Sequence, residues 1–279
     1  MPSGTYTIVG AGLAGASAAA ELRDQGFEGP VLLVGAEPEL PYERPPLSKD
    51  YLLGTAERSD AFVHDEAFYA DHDIELLTGT TVTAVDPAGT VTFADGTTRP
   101  FEKLLLTTGS EPRPLHVPGA GLGNVFYLRT LADADVLSAR LAEGGRVVVV
   151  GSGWIGSEAA AVACRRGLDV TVIGNEELPN ARLFGAEIGA FYRDLHVSHG
   201  VTMLLGEDVA ALEGDAKVER VRTASGTTVE CDLVIVGIGA SPRIELAREA
   251  GLAVDDGVLV DALLTTSAPH VFAAGDIAS

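Results

Sequence analysis

Two matching series of apolar and polar positions organise the chain. Each begins with a short continuous apolar run, passes through a glycine-rich turn and an alanine-rich run of helical pattern, and ends in a second apolar run. Continuous runs rich in β-branched residues are typical of parallel strands covered on both faces. Each series therefore predicts a strand–turn–helix–strand (βαβ) unit. The predicted segments are residues 6–9, 16–25 and 31–34 in the first unit and residues 146–150, 157–166 and 170–173 in the second.

A stretch of shorter strands follows each unit, with turn signals such as Asp86-Pro87 and Asp95-Gly96 between them. Each stretch then returns to a buried apolar run. The predicted strands are residues 74–77, 81–85, 90–93, 97–101 and 103–107, then residues 201–205, 209–212, 218–222, 227–230 and 233–236. The sequence thus predicts an α/β protein of two Rossmann-like domains, each with a β-meander insertion. The predicted domains are residues 1–110 plus 237–279, and residues 111–236.

Both turns carry the spacing GxGxxG between a predicted strand and a predicted helix. In this motif the first glycine permits a tight turn, the second lets a pyrophosphate approach the backbone, and the third lets helix and strand pack closely. The helix N-terminus favours the negative charge of the phosphates. Two such motifs in the same context predict two bound dinucleotides. The glycines are Gly10, Gly12 and Gly15, then Gly151, Gly153 and Gly156.

The formal charge of −21 argues against nucleic acid as a partner, because phosphate binding needs a basic face. No apolar run is long enough to span a membrane, and the N-terminus has no signal-peptide pattern. We therefore expect a cytoplasmic protein. The six histidines show no metal-ligand spacing, so we predict no metal site.

The two cysteines, Cys164 and Cys231, lie far apart in the sequence. A redox disulfide needs a pair close together, because the attacking thiolate must be resolved by a neighbour. We interpret both cysteines as small buried fillers, which excludes disulfide-reductase chemistry.

Residues 40–52 read LPYERPPLSKDYL, Thr108-Gly109 ends the first meander, and an AAGD segment closes at Asp276. Together with the two glycine motifs, these features resemble the two-dinucleotide-binding flavoprotein reductases. Within that class the chain is similar to the oxygenase-coupled NADH–ferredoxin reductases, the rubredoxin reductases and apoptosis-inducing factor. The resemblance implies a reductase that passes electrons from NAD(P)H through FAD to a ferredoxin- or rubredoxin-like protein.

The resemblance also implies site residues. Lys49 and Glu158 would form an ion pair at the flavin, where a cation near N5 stabilises developing negative charge. The alternative interpretation of Lys49 is a solvated surface lysine, and that of Glu158 is an exposed helix residue. Further FAD-binding candidates are Gly10, Gly12, Gly15, Glu37, Arg44, Lys49, Val82, Thr108, Gly109, Arg129 and Asp276. The NAD(P)H-binding candidates are Gly151, Gly153, Trp154, Ile155, Gly156, Glu158, Gly237 and Gly239.

Three departures from the family pattern bear on these assignments. The usual ribose-binding acid after the second strand falls at Ala36, so Glu37 is either its substitute or a solvated turn acid. In the second unit Gly174 and Asn175 precede Glu176, and no arginine occurs at the strand end; this favours NADH and leaves NADPH as the alternative. Trp154 is interpreted as packing at the domain interface, with nicotinamide gating as the alternative.

The resemblance implies a further C-terminal interface domain beyond Ser279, so we expect these 279 residues to be either a piece of a longer chain or a natural core-only form. A second hypothesis is therefore a low-turnover FAD/NAD-binding module or a signalling flavoprotein.

Overall fold

The computed structural model describes residues 4–279 and consists of short strands joined by helices and turns. The strands are β1 (Tyr6–Val9), β2 (Val31–Val34), β3 (Ile74–Leu77), β4 (Val82–Asp86), β5 (Thr90–Phe93), β6 (Thr98–Pro100), β7 (Lys103–Leu106), β8 (Ser110–Pro112), β9 (Val125–Tyr127), β10 (Arg146–Val150), β11 (Asp169–Gly174), β12 (Thr202–Leu205), β13 (Val209–Glu213), β14 (Arg220–Thr223), β15 (Thr228–Glu230), β16 (Leu233–Val236), β17 (Ala240–Pro242) and β18 (Val271–Ala273). The helices are α1 (Leu13–Asp24), α2 (Asp50–Leu53), α3 (Glu66–Asp71), α4 (Leu131–Ala142), α5 (Trp154–Arg165), α6 (Ala181–Ser198) and α7 (Glu245–Glu249), with 3₁₀ turns at Pro45–Ser48, Arg58–Ala61 and Gly275–Ile277.

The chain divides into two compact units. The first unit comprises residues 4–43, Ser59–Glu111 and Ser241–Ser279. Its main sheet has five parallel strands in the order β18-β7-β1-β2-β3, and β4, β5 and β6 form a separate antiparallel sheet. The crossover from β1 to β2 is α1, so this unit contains the first predicted βαβ element.

Alternate residues of β2 enter different layers of the first unit's core. Val31 and Leu33 pack in the cluster that contains Ala16 of α1. Leu32 and Val34 pack in the cluster formed with the β4–β6 sheet and the C-terminal segment. All four are almost completely buried. The sheet is therefore covered on both faces, which explains its unbroken apolar runs.

The second unit comprises residues Arg44–Arg58 and Pro112–Ala240. Its main sheet has five parallel strands in the order β12-β11-β10-β16-β9, and β13, β14 and β15 form an antiparallel sheet. Val148 and Val150 of β10 pack with Leu212 and Val221 of that smaller sheet. The two units thus repeat one plan, and the predicted α/β fold class with two Rossmann-like units and meanders is confirmed.

Two predicted strands have a different role from the one expected. The sequence places two segments among the short strands of the meanders, Ile74–Leu77 and Thr202–Leu205. The structure pairs them in parallel with β2 and β11, at the edges of the main sheets. Both helices of the βαβ units also begin earlier than predicted, at Leu13 and Trp154, because each glycine turn leads directly into its helix.

The segment Arg44–Arg58 groups with the second unit, although the sequence analysis assigned it to the first domain. The Lys49 ammonium lies 2.8 Å from the Glu158 carboxylate of α5. The Arg58 guanidinium lies 2.5 Å from the Asp135 carboxylate of α4. These contacts join positions far apart in the sequence.

Among residues 4–279, no helix has the length and apolar character needed to cross a membrane.

Candidate functional site

The first glycine turn brings strand, helix and neighbouring strand into close backbone contact. Gly10 has φ +118°, and a Cβ there would lie 2.1 Å from the Thr107 carbonyl oxygen. A Cβ at Gly15 would lie 2.0 Å from the Gly10 carbonyl oxygen. Both distances are far inside van der Waals contact, so only glycine fits at these two positions.

Gly12 has the opposite environment. A Cβ built at this position would meet no heavy atom within 4 Å, and its φ of −94° is open to any residue. Gly12 is the N-cap of α1 and has no side chain to satisfy the first N–H groups of the helix. The open space before these donors fits a dinucleotide pyrophosphate.

The second turn repeats this arrangement. Gly151 has φ +107°, and its Cβ would lie 2.3 Å from the Gly237 carbonyl oxygen. A Cβ at Gly156 would lie 1.9 Å from the Gly151 carbonyl oxygen, whereas one at Gly153 would meet nothing within 4 Å. Gly153 is the uncapped N-cap of α5. This turn therefore also fits a pyrophosphate, and Gly237 lies against it.

The ends of β7 and β18 bring three FAD-binding candidates of the first unit together. The Thr108 hydroxyl donates to the Arg243 carbonyl at 2.9 Å, and the Arg243 N–H donates to the Gly109 carbonyl at 2.8 Å. The Ser110 hydroxyl donates to the exposed Asp276 carboxylate at 2.8 Å. Because β7 and β18 are parallel neighbours, these residues lie at the carboxyl edge of the sheet, where ligands of such folds bind.

Two other candidates lie elsewhere in the first unit. Glu37 follows β2 by three residues, and its carboxylate accepts a hydrogen bond from the Tyr42 hydroxyl. Val82 is half-buried at the start of β4, opposite Phe93 of β5. Neither the ribose role of Glu37 nor the adenine contact of Val82 is tested by these contacts.

Arg44 and Arg129 meet in the second unit. The Arg44 guanidinium donates to the Arg129 main-chain carbonyl. Asp133 fixes that turn, because its carboxylate accepts the N–H groups of Arg129 at 3.1 Å and Thr130 at 2.8 Å. The Thr130 hydroxyl in turn accepts the Asp133 N–H at 3.1 Å, which completes a capping box at the start of α4.

The predicted Lys49–Glu158 pair is formed in the second unit. The 3₁₀ turn Pro45–Ser48 leads directly into Lys49, whose Nζ lies 2.8 Å from Glu158 Oε2. Glu158 lies one turn into α5, two residues beyond Gly156. The lysine side chain is 48% exposed and the glutamate side chain 23%. A positive charge is thus held beside the helix that begins at the second glycine turn.

Trp154 is partly exposed and contacts α6. Its ring lies edge-on to Phe184 at 5.4 Å and to Tyr192 at 6.2 Å between centroids. Ile155 follows it and is also exposed, and Gly239 has φ +109° beyond the end of β16. The Trp154 contacts lie within the second unit, and its cofactor role remains a prediction.

The surroundings of the end of β11 include Arg182, which was not predicted. A Cβ at Gly174 would lie 2.4 Å from the Ser152 hydroxyl, so no larger residue fits there without movement. Glu176 forms an ion pair with Arg182 of α6 at 2.9 Å. Arg182 lies eight residues beyond Gly174 in the sequence and reaches this strand end only through the fold of the loop before α6, so no local pattern indicated it.

The two cysteines have different surroundings. Burial raises the pKa of the Cys231 thiol to about 12, which keeps it protonated. The Cys164 thiol donates to the His199 carbonyl at 3.0 Å. In the described part of the chain, no group of three or more His, Cys, Asp or Glu residues is arranged to hold a metal ion.

Comparison with known proteins identifies close relatives over nearly the whole chain. Rhodocoxin reductase of Rhodococcus erythropolis is 41% identical over 277 residues, which are 99% of this chain and 65% of that protein. Putidaredoxin reductase of Pseudomonas putida is 40% identical over 278 residues, which are 97% of this chain and 66% of that protein. The chain therefore spans just under two thirds of the length of these relatives.

The fold comparison agrees. The crystal structure of the covalent putidaredoxin reductase–putidaredoxin complex matches with a TM-score of 0.95 and 39% identity, over 99% of this chain and 68% of that chain. The family model described as pyridine nucleotide-disulphide oxidoreductase matches residues 4–279. The chain belongs to the pyridine nucleotide-disulphide oxidoreductase family.

Proposed function

We propose that the chain is the nucleotide-binding part of an FAD-dependent reductase that oxidises NAD(P)H and passes electrons to a ferredoxin- or rubredoxin-like protein of an oxygenase system. The observation that carries this proposal is the matching geometry of the two glycine turns, each with an uncapped helix N-terminus facing open space. Its proposed setting is the cytoplasm.

Bound FAD supplies the chemistry that connects a two-electron nucleotide donor to a one-electron acceptor. The first N–H groups of α1 would hold the FAD pyrophosphate, and those of α5 the NAD(P)H pyrophosphate. The other residues proposed to contact FAD are Glu37, Arg44, Val82, Thr108, Gly109, Arg129 and Asp276. Those proposed to contact NAD(P)H are Trp154, Ile155, Gly237 and Gly239.

Lys49 and Glu158 are the proposed catalytic residues. The Lys49 ammonium would stabilise negative charge that develops at the flavin, which is an electrostatic contribution made without moving a proton. Glu158 would hold the ammonium in place and keep it from orienting freely in water. The 2.8 Å ion pair supports both roles.

The environment of the cysteines supports direct electron transfer to a protein acceptor. A disulfide relay needs a thiolate, and the buried Cys231 thiol is held in its protonated form. The names of rhodocoxin reductase and putidaredoxin reductase support an acceptor of the redoxin class. The activity of the whole protein and its acceptor remain part of the proposal.

We propose NADH as the preferred nucleotide. Glu176 lies close to the end of β11, where an acidic side chain suits the ribose hydroxyls and repels a 2′-phosphate. Arg182 already forms an ion pair with Glu176, which disfavours binding of the NADPH 2′-phosphate by this arginine. The missing acid at Gly174 instead favours the alternative hypothesis of a low-turnover binding module.

The test is to load the full chain with FAD, remove free flavin and follow flavin absorbance during anaerobic addition of NADH or NADPH. We expect bleaching at lower NADH than NADPH concentrations, and K49M to slow bleaching at least about tenfold. The matched control is K217A, which removes an exposed lysine outside the proposed site. Retained flavin that stays oxidised with both nucleotides would contradict the reductase and support the binding module.

A further inference from the structure

The Glu158 carboxylate receives two side-chain donors on one oxygen. Lys49 Nζ lies 2.8 Å from Oε2. The Ser48 hydroxyl donates a hydrogen bond to the same Oε2. The two donors are consecutive residues: Ser48 ends the 3₁₀ segment and Lys49 connects it to α2.

The two donors differ in how firmly they can hold the carboxylate. Lys49 is half-exposed and reaches Glu158 through a flexible four-carbon stem. Ion pairs this exposed contribute little, because water screens them and the side chains lose freedom. Ser48 is only 2% exposed and has a single side-chain torsion, so its hydroxyl is fixed by packing.

The alternative partner of the Ser48 hydroxyl is weak. The Pro45 carbonyl lies 3.4 Å away, at the limit of a hydrogen bond. A buried hydroxyl needs a good acceptor, and Glu158 is the better one. We infer that Ser48 is a positioning residue: its hydroxyl fixes Oε2 of Glu158 and thereby the point at which the Lys49 ammonium is held. The functional importance of this point rests on the proposed function, whereas the arrangement itself does not.

The first test needs neither FAD nor NADH. The chain contains three lysines, Lys49, Lys103 and Lys217. Limiting acetic anhydride followed by peptide mass spectrometry measures Lys49 labelling relative to exposed Lys217 in the same sample. An amine held against a carboxylate reacts slowly because the contact hinders the approach of the reagent.

We expect S48A to raise the Lys49:Lys217 labelling ratio about threefold, which is near the lower end of the net contribution of a hydrogen bond. E158Q should raise it at least as much, and the double variant S48A/E158Q should match E158Q alone. The matched control is S157A. It removes a buried hydroxyl from the residue before Glu158; that hydroxyl donates to the Ser152 carbonyl at 3.4 Å.

The second test uses the FAD-loaded chain and the rate of anaerobic bleaching by NADH. S48A should lower the limiting rate about tenfold and leave the nucleotide concentration for half-maximal rate within about twofold. S48T, which keeps the hydroxyl, should recover most of the rate. The S48A and E158Q losses should not multiply in the double variant, because one acts through the other.

Unchanged Lys49 labelling in folded S48A would overturn the inference, as would multiplicative losses in the double variant. If S48A does not fold, S48C conserves the volume with a much weaker donor and is read in the same way. A wild-type chain that binds FAD but is not reduced would contradict the proposed function. The labelling of Lys49 would still show whether Ser48 positions Glu158.

Discussion

Gly10 and Gly12 are two positions apart, yet a methyl group would meet opposite surroundings at each. At Gly10 the added carbon would lie 2.1 Å from the Thr107 carbonyl oxygen, on a backbone with φ +118°. At Gly12 it would enter open space on an ordinary backbone. One glycine therefore serves folding, and the other serves the ligand.

Alanine at the two positions should separate these roles. We expect G10A to lower the free energy of unfolding by about 3 kcal/mol, from overlap and backbone strain together. G12A should change it by less than about 1 kcal/mol but weaken FAD retention severely, because the methyl group occupies the space before the α1 N–H groups. Urea unfolding and flavin content after desalting measure the two effects. Equal losses of stability in G10A and G12A would contradict these separate roles of the two glycines.

A second residue-scale prediction concerns the thiols. Burial raises the pKa of Cys231 to about 12 from an ordinary value near 9. Its protonated form therefore favours the folded state below about pH 9, and this contribution is lost as pH rises from about 9 to 12. At pH 8.5 we expect iodoacetamide to modify Cys164 and leave Cys231 intact in the native protein, and both to react in urea. Native labelling of Cys231 at the unfolded rate would contradict this.

At the scale of elements, a buried imidazole joins α6 to α5. His196 of α6 lies with Nδ1 2.9 Å from the Tyr192 carbonyl of its own helix and Nε2 3.1 Å from the Ser157 carbonyl of α5. The side chain is 8% exposed. Because Ser157 precedes Glu158, this contact holds α6 to the same turn of α5 that carries the proposed catalytic carboxylate.

H196A should therefore lower the free energy of unfolding by about 2 kcal/mol, from the loss of one hydrogen bond and the space left behind. The matched control is H199A, because His199 is exposed at the end of the same helix and its ring makes hydrogen bonds within the last turn, with Leu195 and Ser198. That variant should stay within about 0.5 kcal/mol of the wild type. Urea titration followed by circular dichroism measures both, and equal losses would show that the interhelical contact is unimportant.

The sequence predicted the strands of the two main sheets well, but it predicted less well which strands pair with each other. β2 and β16 have their predicted bounds because continuous apolar runs flanked by turn residues define a buried strand. The sheet position of β3 was wrong, since pairing depends on partners distant in the chain. The long helix α6 was missed because its backbone is kinked at Gly185, where φ is +83°, and because large apolar residues such as Phe191 lie on its exposed face.

At the scale of the whole molecule, the duplicated plan was predictable because it is written twice in the same order of strand, glycine turn and helix. The site was predictable where a motif fixes backbone geometry, as at Gly12 and Gly153. The grouping of Arg44–Arg58 with the second unit was not, because it follows from side-chain contacts such as Lys49–Glu158 that no local pattern records. Ser48 was overlooked for the same reason.

The net charge of −21 makes a last prediction at this scale. Salt weakens two opposed effects, the attraction within surface ion pairs and the repulsion among excess carboxylates. The ion pairs are mostly exposed, as Arg99–Glu75 illustrates with both side chains 49% exposed, and such pairs stabilise by less than about 1 kcal/mol each. The chain has 40 acidic residues against 19 basic ones, so repulsion is the larger effect.

Raising sodium chloride from about 0.05 to about 0.5 M should therefore stabilise the protein, because the screening length falls from about 14 to about 4 Å. We expect the thermal midpoint to rise by about 3 °C, which corresponds to about 1 kcal/mol for a domain of this size. Differential scanning fluorimetry measures it, and potassium chloride at the same ionic strength serves as the control for effects specific to sodium. A midpoint that falls with salt would mean that the ion pairs, among them Lys49–Glu158, outweigh the repulsion, and that the acidic surface is balanced locally by the contacts it makes.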